Sequence, residues 1–203
     1  MRRTLAHSPT RGKLLDAAER LMVARGFAAT TLEEICRAAK MTKGCFFHYF
    51  ESKEHLGRAV LERFCDQAQK EMEEALSPDE RDPLRRVYAR IDLAIRMSRK
   101  CPSSQGCLLG TLAQELSETH PEIRSLCARG FERWAQAFQK EISEAKARYR
   151  PRSAIDPRSL AEYFIAVLEG SKILAKTQRN GKVVEKNLRL FQQYLKGLFG
   201  RSI

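Results

Sequence analysis

Residues 31–53 read TLEEICRAAKMTKGCFFHYFESK, and the spacing within them decides the fold. Thr31 can cap a helix, and Glu34 three positions on completes a capping box. Leu32, Ile35, Cys36 and Ala39 follow at i, i+3, i+4 and i+7, a single apolar stripe. Met41 stands where a turn must tuck an apolar side chain inward, and Thr42 can cap a second helix. There Phe46, Tyr49 and Phe50 form the inner stripe, which leaves Lys43, Gly44, Cys45, Phe47 and His48 facing away. Small, aromatic and cationic residues make a poor solvent face and a good groove-reading one. The pattern predicts a helix-turn-helix whose second helix reads duplex DNA.

Working outward, every periodic segment is helical, and no stretch alternates like a strand flanked by hairpin turns. A first helix is expected over Thr10–Arg25, with Leu14, Ala17, Ala18, Leu21 and Met22 on one face and Gly26 as its stop. A fourth starts after Ser52 and continues into the mid-seventies, placing Leu56, Val60, Phe64 and Ala68 inward, as a rigid link between domains. The segment Pro78–Pro83 ends it. Further helices are expected over Leu84–Met97, Cys107–Ser117, Pro121–Arg148 and Pro157–Gln178. Asp156 caps the last of these and Asn180-Gly181 breaks it. A final helix carries Val184, Leu188, Phe191, Leu195 and Leu198. The fold class is all-α with about nine helices, divided into residues 1–54 and residues 55–203.

At residues 10–58 the chain resembles the TetR-type repressor family, through TLEEICRAA, an apolar turn, TKGCFFHYF and ESKE. The resemblance implies an N-terminal DNA-binding domain followed by a helical domain for effector binding and dimerisation. Position by position it assigns DNA contacts to Thr42, Lys43, Cys45, Phe47, His48 and Lys53, and close backbone approach to Gly44. Thr31 serves as cap and phosphate neighbour. Tyr49 has its ring in the inner stripe, with its hydroxyl in reach of a phosphate. Arg2, Arg3 and Arg11 are either backbone contacts or a loose basic tail. Two departures stand out. Lys40 occupies a position usually held by glycine, which costs on the order of 1 kcal/mol if its φ is positive. Phe47 replaces a more common tyrosine and offers an apolar edge to a thymine methyl.

Composition agrees with a regulator and argues against other classes. The net charge of +12 favours a polyanionic partner. The surplus is spread along the chain: residues 1–60 hold 11 Lys and Arg against 6 Asp and Glu, and the remaining 143 hold 26 against 19. Charge therefore counts only beside the motif. The longest apolar run falls far short of a membrane span, and the N-terminus lacks the apolar core of a signal peptide, so a cytoplasmic location is expected. The 6 cysteines form no C-x-x-C pair and read as free thiols, with no metal and no cofactor. His120, before Pro121, belongs to a helix start. No nucleophile–base–orienter set, phosphate loop or metal cluster supports an enzyme.

In the second domain, Leu160, Phe164, Val167, Leu168, Leu174, Phe191, Leu195 and Leu198 lie on a helical hairpin. It either pairs with its copy in a homodimer or covers its own core. The resemblance favours the dimer, which would read two half-sites of a palindromic operator. The segment CPSSQGCLLGTLAQELSETHPEIR is similar to one in a branch of the family that responds to electrophiles. There the cysteine after glycine, here Cys107, is a reactive sensor. A thiol in the first turn of a helix feels the positive end of the dipole, and Arg99 and Lys100 are near in sequence. The other reading of Cys107 is a small packing residue, and Cys101 is a possible thiol partner. Tyr88, Phe131 and Trp134, with Phe138 and Met97, form either an effector pocket or plain core. The expected function is a repressor released by a small-molecule or electrophilic effector. The alternative is an effector-independent dimeric regulator.

Overall fold

A computed structural model describes residues 8–74, 76–77, 79–100, 106–151 and 154–200. Arg2, Arg3 and Cys101 lie outside the described residues. Among those described there are nine helices and no strand: α1 Pro9–Arg25, α2 Leu32–Ala39, α3 Lys43–Tyr49, α4 Lys53–Glu74, α5 Pro83–Lys100, α6 Leu108–Leu116, α7 Pro121–Tyr149, α8 Pro157–Gln178 and α9 Lys182–Phe199. They fall into two compact units, one within Met1–Asp66 and Gly106–Ala128, the other within Gln67–Gln105 and Arg129–Ile203. No described helix is long and apolar enough to cross a membrane.

The first unit is built around α1, which packs on α2 and α6. Pro9 opens the helix at a position where its missing N–H costs nothing. Leu15 and Val23 are buried as well as Leu14, Ala17, Ala18 and Met22. That is a wider apolar arc than one stripe, consistent with two neighbours. Gly26 closes α1 at φ 93°, and its N–H donates to the Met22 carbonyl at 2.8 Å. The loop to α2 is tied down internally. Thr30, fully buried, donates its hydroxyl to the Gly26 carbonyl at 2.7 Å, and the Ala28 N–H donates to Glu115 of α6 at 3.0 Å.

The capping box forms as the spacing requires. The Glu34 N–H donates to the Thr31 hydroxyl at 3.3 Å, and the Thr31 N–H donates to the Glu34 carboxylate at 3.0 Å. The end of α2 is a Schellman motif. The Met41 N–H reaches the Cys36 carbonyl at 2.8 Å and the Lys40 N–H reaches that of Arg37 at 3.1 Å. Lys40 is left-handed, at φ 56° and ψ 45°. Arg150 and Arg179, just past α7 and α8, also have positive φ, at 44° and 50°. At each of these three helix ends an unfavourable backbone carries a cation where the dipole is negative.

The second unit has one continuous core. It takes Leu84, Val87, Ile91 and Ile95 from α5, and Phe138, Ile142 and Ala145 from α7. Leu160, Phe164 and Leu168 of α8 and Leu188, Phe191 and Leu195 of α9 close it. Phe138 and Phe164 stack face to face with centroids 4.5 Å apart and planes 5° from parallel. One charge is buried beside this core: Glu141, 4% exposed, accepts from Arg90 at 2.7 Å. Asp156 caps α8 through the Ser159 N–H at 2.9 Å, as expected. The break after α8 falls one residue earlier than the Asn-Gly pair suggests. Arg179 takes the left-handed turn, and Gly181 has ordinary helical angles.

Lys40→Gly is expected to raise stability by about 1 kcal/mol, because the β-carbon strain of the left-handed turn is removed. Denaturant unfolding at high ionic strength, where the charge–dipole contribution of Lys40 is screened, measures it. A loss of stability would contradict the strain assignment.

Candidate nucleic-acid interface

The second motif helix, α3, is seven residues long and held from one side only. Its inner face is Phe46, fully buried, followed by Phe50 just past its end at 1% exposure. The rings lie 5.7 Å apart. The Arg11 guanidinium sits 5.2 Å over Phe50, so Arg11 packs against the inner face. Thr42 caps the helix by accepting from the Cys45 N–H at 3.1 Å. With the helix fixed this way, Thr42, Lys43, Gly44, Phe47 and His48 are all exposed, Phe47 at 55%. Phe47 meets Phe46 edge-on at 5.3 Å, which orients an otherwise unsupported apolar ring. Cys45 is half-buried and donates its thiol to the Met41 sulfur at 3.8 Å.

The flanking residues are positioned by longer-range bonds. Tyr49 is half-buried, with its hydroxyl 3.0 Å from the Ser8 hydroxyl at the start of α1 and its ring edge-on to His48 at 4.8 Å. Thr31 is exposed, but its hydroxyl is engaged with Glu34. Lys53 differs most from a simple phosphate-facing cation. Its ammonium donates to the carbonyls of Phe27 and Thr30, both at 3.1 Å, and lies 4.3 Å over the Phe27 ring. It therefore braces the α1–α2 connection. Nothing in the spacing signals this, since the partners are 23 and 26 residues away.

Two adjacent acidic residues stand out, Glu34 of the capping box and Glu33, which the sequence pattern did not single out. Glu34 pairs with Arg25 at 2.9 Å besides serving the capping box. Glu33 forms an ion pair with Lys43 of α3. The hydrogen bond from Lys43 holds the Glu33 carboxyl below the usual carboxylate range, and the same bond raises Lys43 above the usual lysine range.

The expected effector residues are divided between the two units. Cys107 is buried, at 5% exposure, in the first unit, whereas Tyr88, Phe131 and Trp134 belong to the second. Cys107 occupies the N-cap of α6, with extended angles, and not the first helical turn. Arg99, near it in sequence, donates to Glu185 of α9 at 3.0 Å. Tyr88 donates to the Gln192 carbonyl at 3.2 Å, and burial pushes its hydroxyl up to about 12. Trp134 is buried, with Phe131 edge-on at 5.8 Å and the Lys172 ammonium 5.9 Å from its ring. Phe138 is taken by the aromatic stack, and Met97 is half-buried. A groove of about 390 Å³ opens instead between α8 and α9, lined among others by Tyr163, Leu174, Asn187, Leu190 and Tyr194. No described group of three or more His, Cys, Asp or Glu side chains is placed to hold a metal. His120 packs edge-on to Phe27 at 6.1 Å, as part of a helix start.

Residues 14–60 match the bacterial regulatory proteins of the tetR family, and residues 83–191 match the tetracyclin repressor-like C-terminal domain. The HTH-type transcriptional repressor DhaR of Mycobacterium sp. (strain GP1) is 30% identical over 184 residues, 91% of each chain. The HTH-type transcriptional repressor NemR of Escherichia coli (strain K12) is 27% identical over 179 residues, 88% of this chain and 90% of that one. Its crystal structure, described as the reduced form, superposes with a TM-score of 0.78 at 26% identity, covering 92% of this chain and 96% of that one. The regulatory protein TetR from Rhodobacter sphaeroides superposes with a TM-score of 0.83 at 26% identity, covering 92% and 98%. The chain belongs to the TetR family: it is a DNA-binding transcriptional regulator and not an enzyme.

Gly44 offers a direct test of how closely the backbone meets DNA. A β-carbon there would find only the Thr42 hydroxyl, at 3.8 Å, so nothing internal requires glycine. Gly44→Ala is expected to stabilise the chain by up to about 1 kcal/mol while weakening DNA binding. Thermal unfolding and fluorescence anisotropy on duplex DNA read the two effects separately. Unchanged DNA affinity would remove Gly44 from the interface.

Proposed function

We propose that the chain is a homodimeric repressor that occupies a palindromic operator and leaves it when a small-molecule or electrophilic effector acts on it. Residues 1–54 read DNA in this account, and residues 55–203 dimerise and answer the effector, in the cytoplasm. The observation that carries it is Phe47, an aromatic side chain 55% exposed on a helix fixed from behind. Exposing such a ring has no benefit to the free chain and a clear one against thymine methyls. Thr31, Thr42, Lys43, Gly44, Cys45, Phe47, His48, Tyr49 and Lys53 form the proposed contact set. Lys53 can offer a phosphate only what its two internal bonds leave over.

Dimerisation is supported by the last two helices. Tyr163 and Leu174 on α8 and Leu190 and Tyr194 on α9 are each 45–52% exposed, an unusual concentration of large apolar surface. A self-complementary helical hairpin is the common way to cover such a face. For the effector, two relatives bear the name of repressor, and one of them has a structure distinguished as reduced. That supports a thiol sensor, for which Cys107 is the candidate. The effector-independent reading keeps specific support, because Tyr88, Trp134 and Phe138 are engaged in packing.

Selection from a randomised duplex library with the wild-type chain is expected to recover inverted half-sites about 34–36 Å apart, or a multiple, bound by two chains. Phe47→Ala should weaken the selected site by roughly tenfold to a hundredfold, the 1–3 kcal/mol of a lost base contact, and relax its sequence. Lys43→Ala should weaken all duplexes alike. Recovery of no common sequence, or binding indifferent to Phe47→Ala in a folded chain, would overturn the reading.

For the effector, N-ethylmaleimide added to the preformed complex, where DNA covers Cys45, is expected to release the wild type and spare Cys107→Ser. Release of both, or of neither, would favour the effector-independent alternative or another site.

A further inference from the structure

The first turn of α2 carries two adjacent carboxylates with different employment. Glu34 is saturated by local duties: both its partners at Thr31 and the pair with Arg25 stabilise the helix start. Glu33 lies outside the capping box. It reaches instead across to the first residue of α3 and pairs with Lys43, both side chains more than half exposed, at 54% and 58%. The pair is not needed to place α3. The Thr42 cap and the burial of Phe46 and Phe50 already do that, and an exposed ion pair contributes little to stability.

For DNA the pair has a larger meaning. The ammonium that a backbone phosphate would take is already held by an anion attached to the same protein. Binding must exchange carboxylate for phosphate and leave Glu33 facing the polyanion. A free lysine on duplex DNA displaces condensed cations, and that displacement drives binding. A lysine whose counter-charge is a neighbouring glutamate displaces fewer. The chain also has reason to limit its charge-driven attraction, at +12 overall with the surplus spread along it. We infer that Glu33 is an affinity-setting residue, an internal competitor for phosphate that holds Lys43 in the free protein and lowers sequence-independent binding. This rests on the assignment of Lys43 to the DNA interface. A glutamate is already ionised near neutral pH and the hydrogen bond from Lys43 lowers the Glu33 carboxyl further, so the competition operates across the whole physiological pH range.

The test uses the full chain and a fluorescein-labelled duplex of arbitrary sequence, roughly 30 base pairs or about three helical turns. Anisotropy titrations over a range of salt concentrations compare wild type, Glu33→Gln, Lys43→Met and the double variant, each checked for unchanged helical circular dichroism. Glu33→Gln is expected to bind about threefold to tenfold more tightly near 0.1 M salt, and its plot of log affinity against log salt should steepen by about 0.9. In the Lys43→Met background the gain should shrink at least by half. A folded Glu33→Gln that binds no tighter overturns the inference, as does an equal gain in both backgrounds, which would mean that the carboxylate acts on phosphate alone. If wild type and Lys43→Met bind alike with the same salt dependence, the interface assignment of Lys43 is what fails. A merely structural Glu33 would lower thermal stability and weaken binding without steepening the salt dependence.

Discussion

Everything at the interface depends on the burial of Phe46 and Phe50. A helix of seven residues cannot hold itself together in water, because the cost of nucleation is not recovered over so few hydrogen bonds. It exists because two large rings on one side are removed from solvent and the Thr42 hydroxyl satisfies one of the donors at its start. That arrangement settles the outer face by exclusion. With Phe46 turned inward, Phe47 must turn outward, and Lys43, Gly44 and His48 share its side of the helix. In the proposed reading, DNA contact and folding thus fall on opposite faces of one short element. Substitutions on the outer face can change what is read with little effect on stability.

The support for that element is less local than its sequence suggests. Lys53, at the first residue of α4, reaches back to the carbonyls of Phe27 and Thr30 and covers the Phe27 ring. Glu115, from α6, accepts from Ala28 in the same loop. The connection that leads into α2 is therefore gripped by two side chains of opposite charge from two other helices. A cation on carbonyls and an anion on an N–H are both charge-assisted bonds, stronger than neutral ones. The start of α2 is consequently fixed by α4 and α6 as well as by its own capping box. A displacement of either helix would reach the reading head through this loop.

Much of this was readable in the chain and some was not, for a physical reason that separates the two. The capping box, the inner ring stripe, the Asp156 cap and the fate of Lys40 are local: each depends on residues within about one turn, where spacing fixes geometry. All were legible. What spacing does not signal are the bonds made by long side chains over large sequence separations. Lys53, assigned to DNA by the resemblance, also braces a loop. Arg99, near Cys107 in sequence, pairs with Glu185, 86 residues on. Glu33, which carries no assignment in the sequence pattern, pairs with Lys43. Aromatic spacing on α5 and α7 gave candidates for a pocket, but periodicity marks which face is buried and not whether the space behind it is filled. Here Phe138 and Phe164 fill it with a ring stack.

That filled core constrains how an effector would act. A ligand shifts an equilibrium only by its difference in affinity between two states, and release from DNA needs a few kcal/mol at most. Insertion of a planar molecule against Phe138 would have to open a close-packed contact, since interiors of this kind hold few voids larger than a water. A covalent adduct meets a different problem. Cys107 is 5% exposed at the mouth of α6, so its neighbours must move before a reagent reaches it, and the enlarged side chain then resists their return. Overpacking of a buried position typically costs 1–3 kcal/mol. That is the same size as the coupling energies by which distant sites in regulators influence one another. The burial that restricts access to Cys107 would therefore be what makes its modification consequential. α6 also carries Glu115, one of the two side chains that grip the loop into α2. In that proposal, a shift at the N-cap of this nine-residue helix is carried to a brace of the loop that leads into α2.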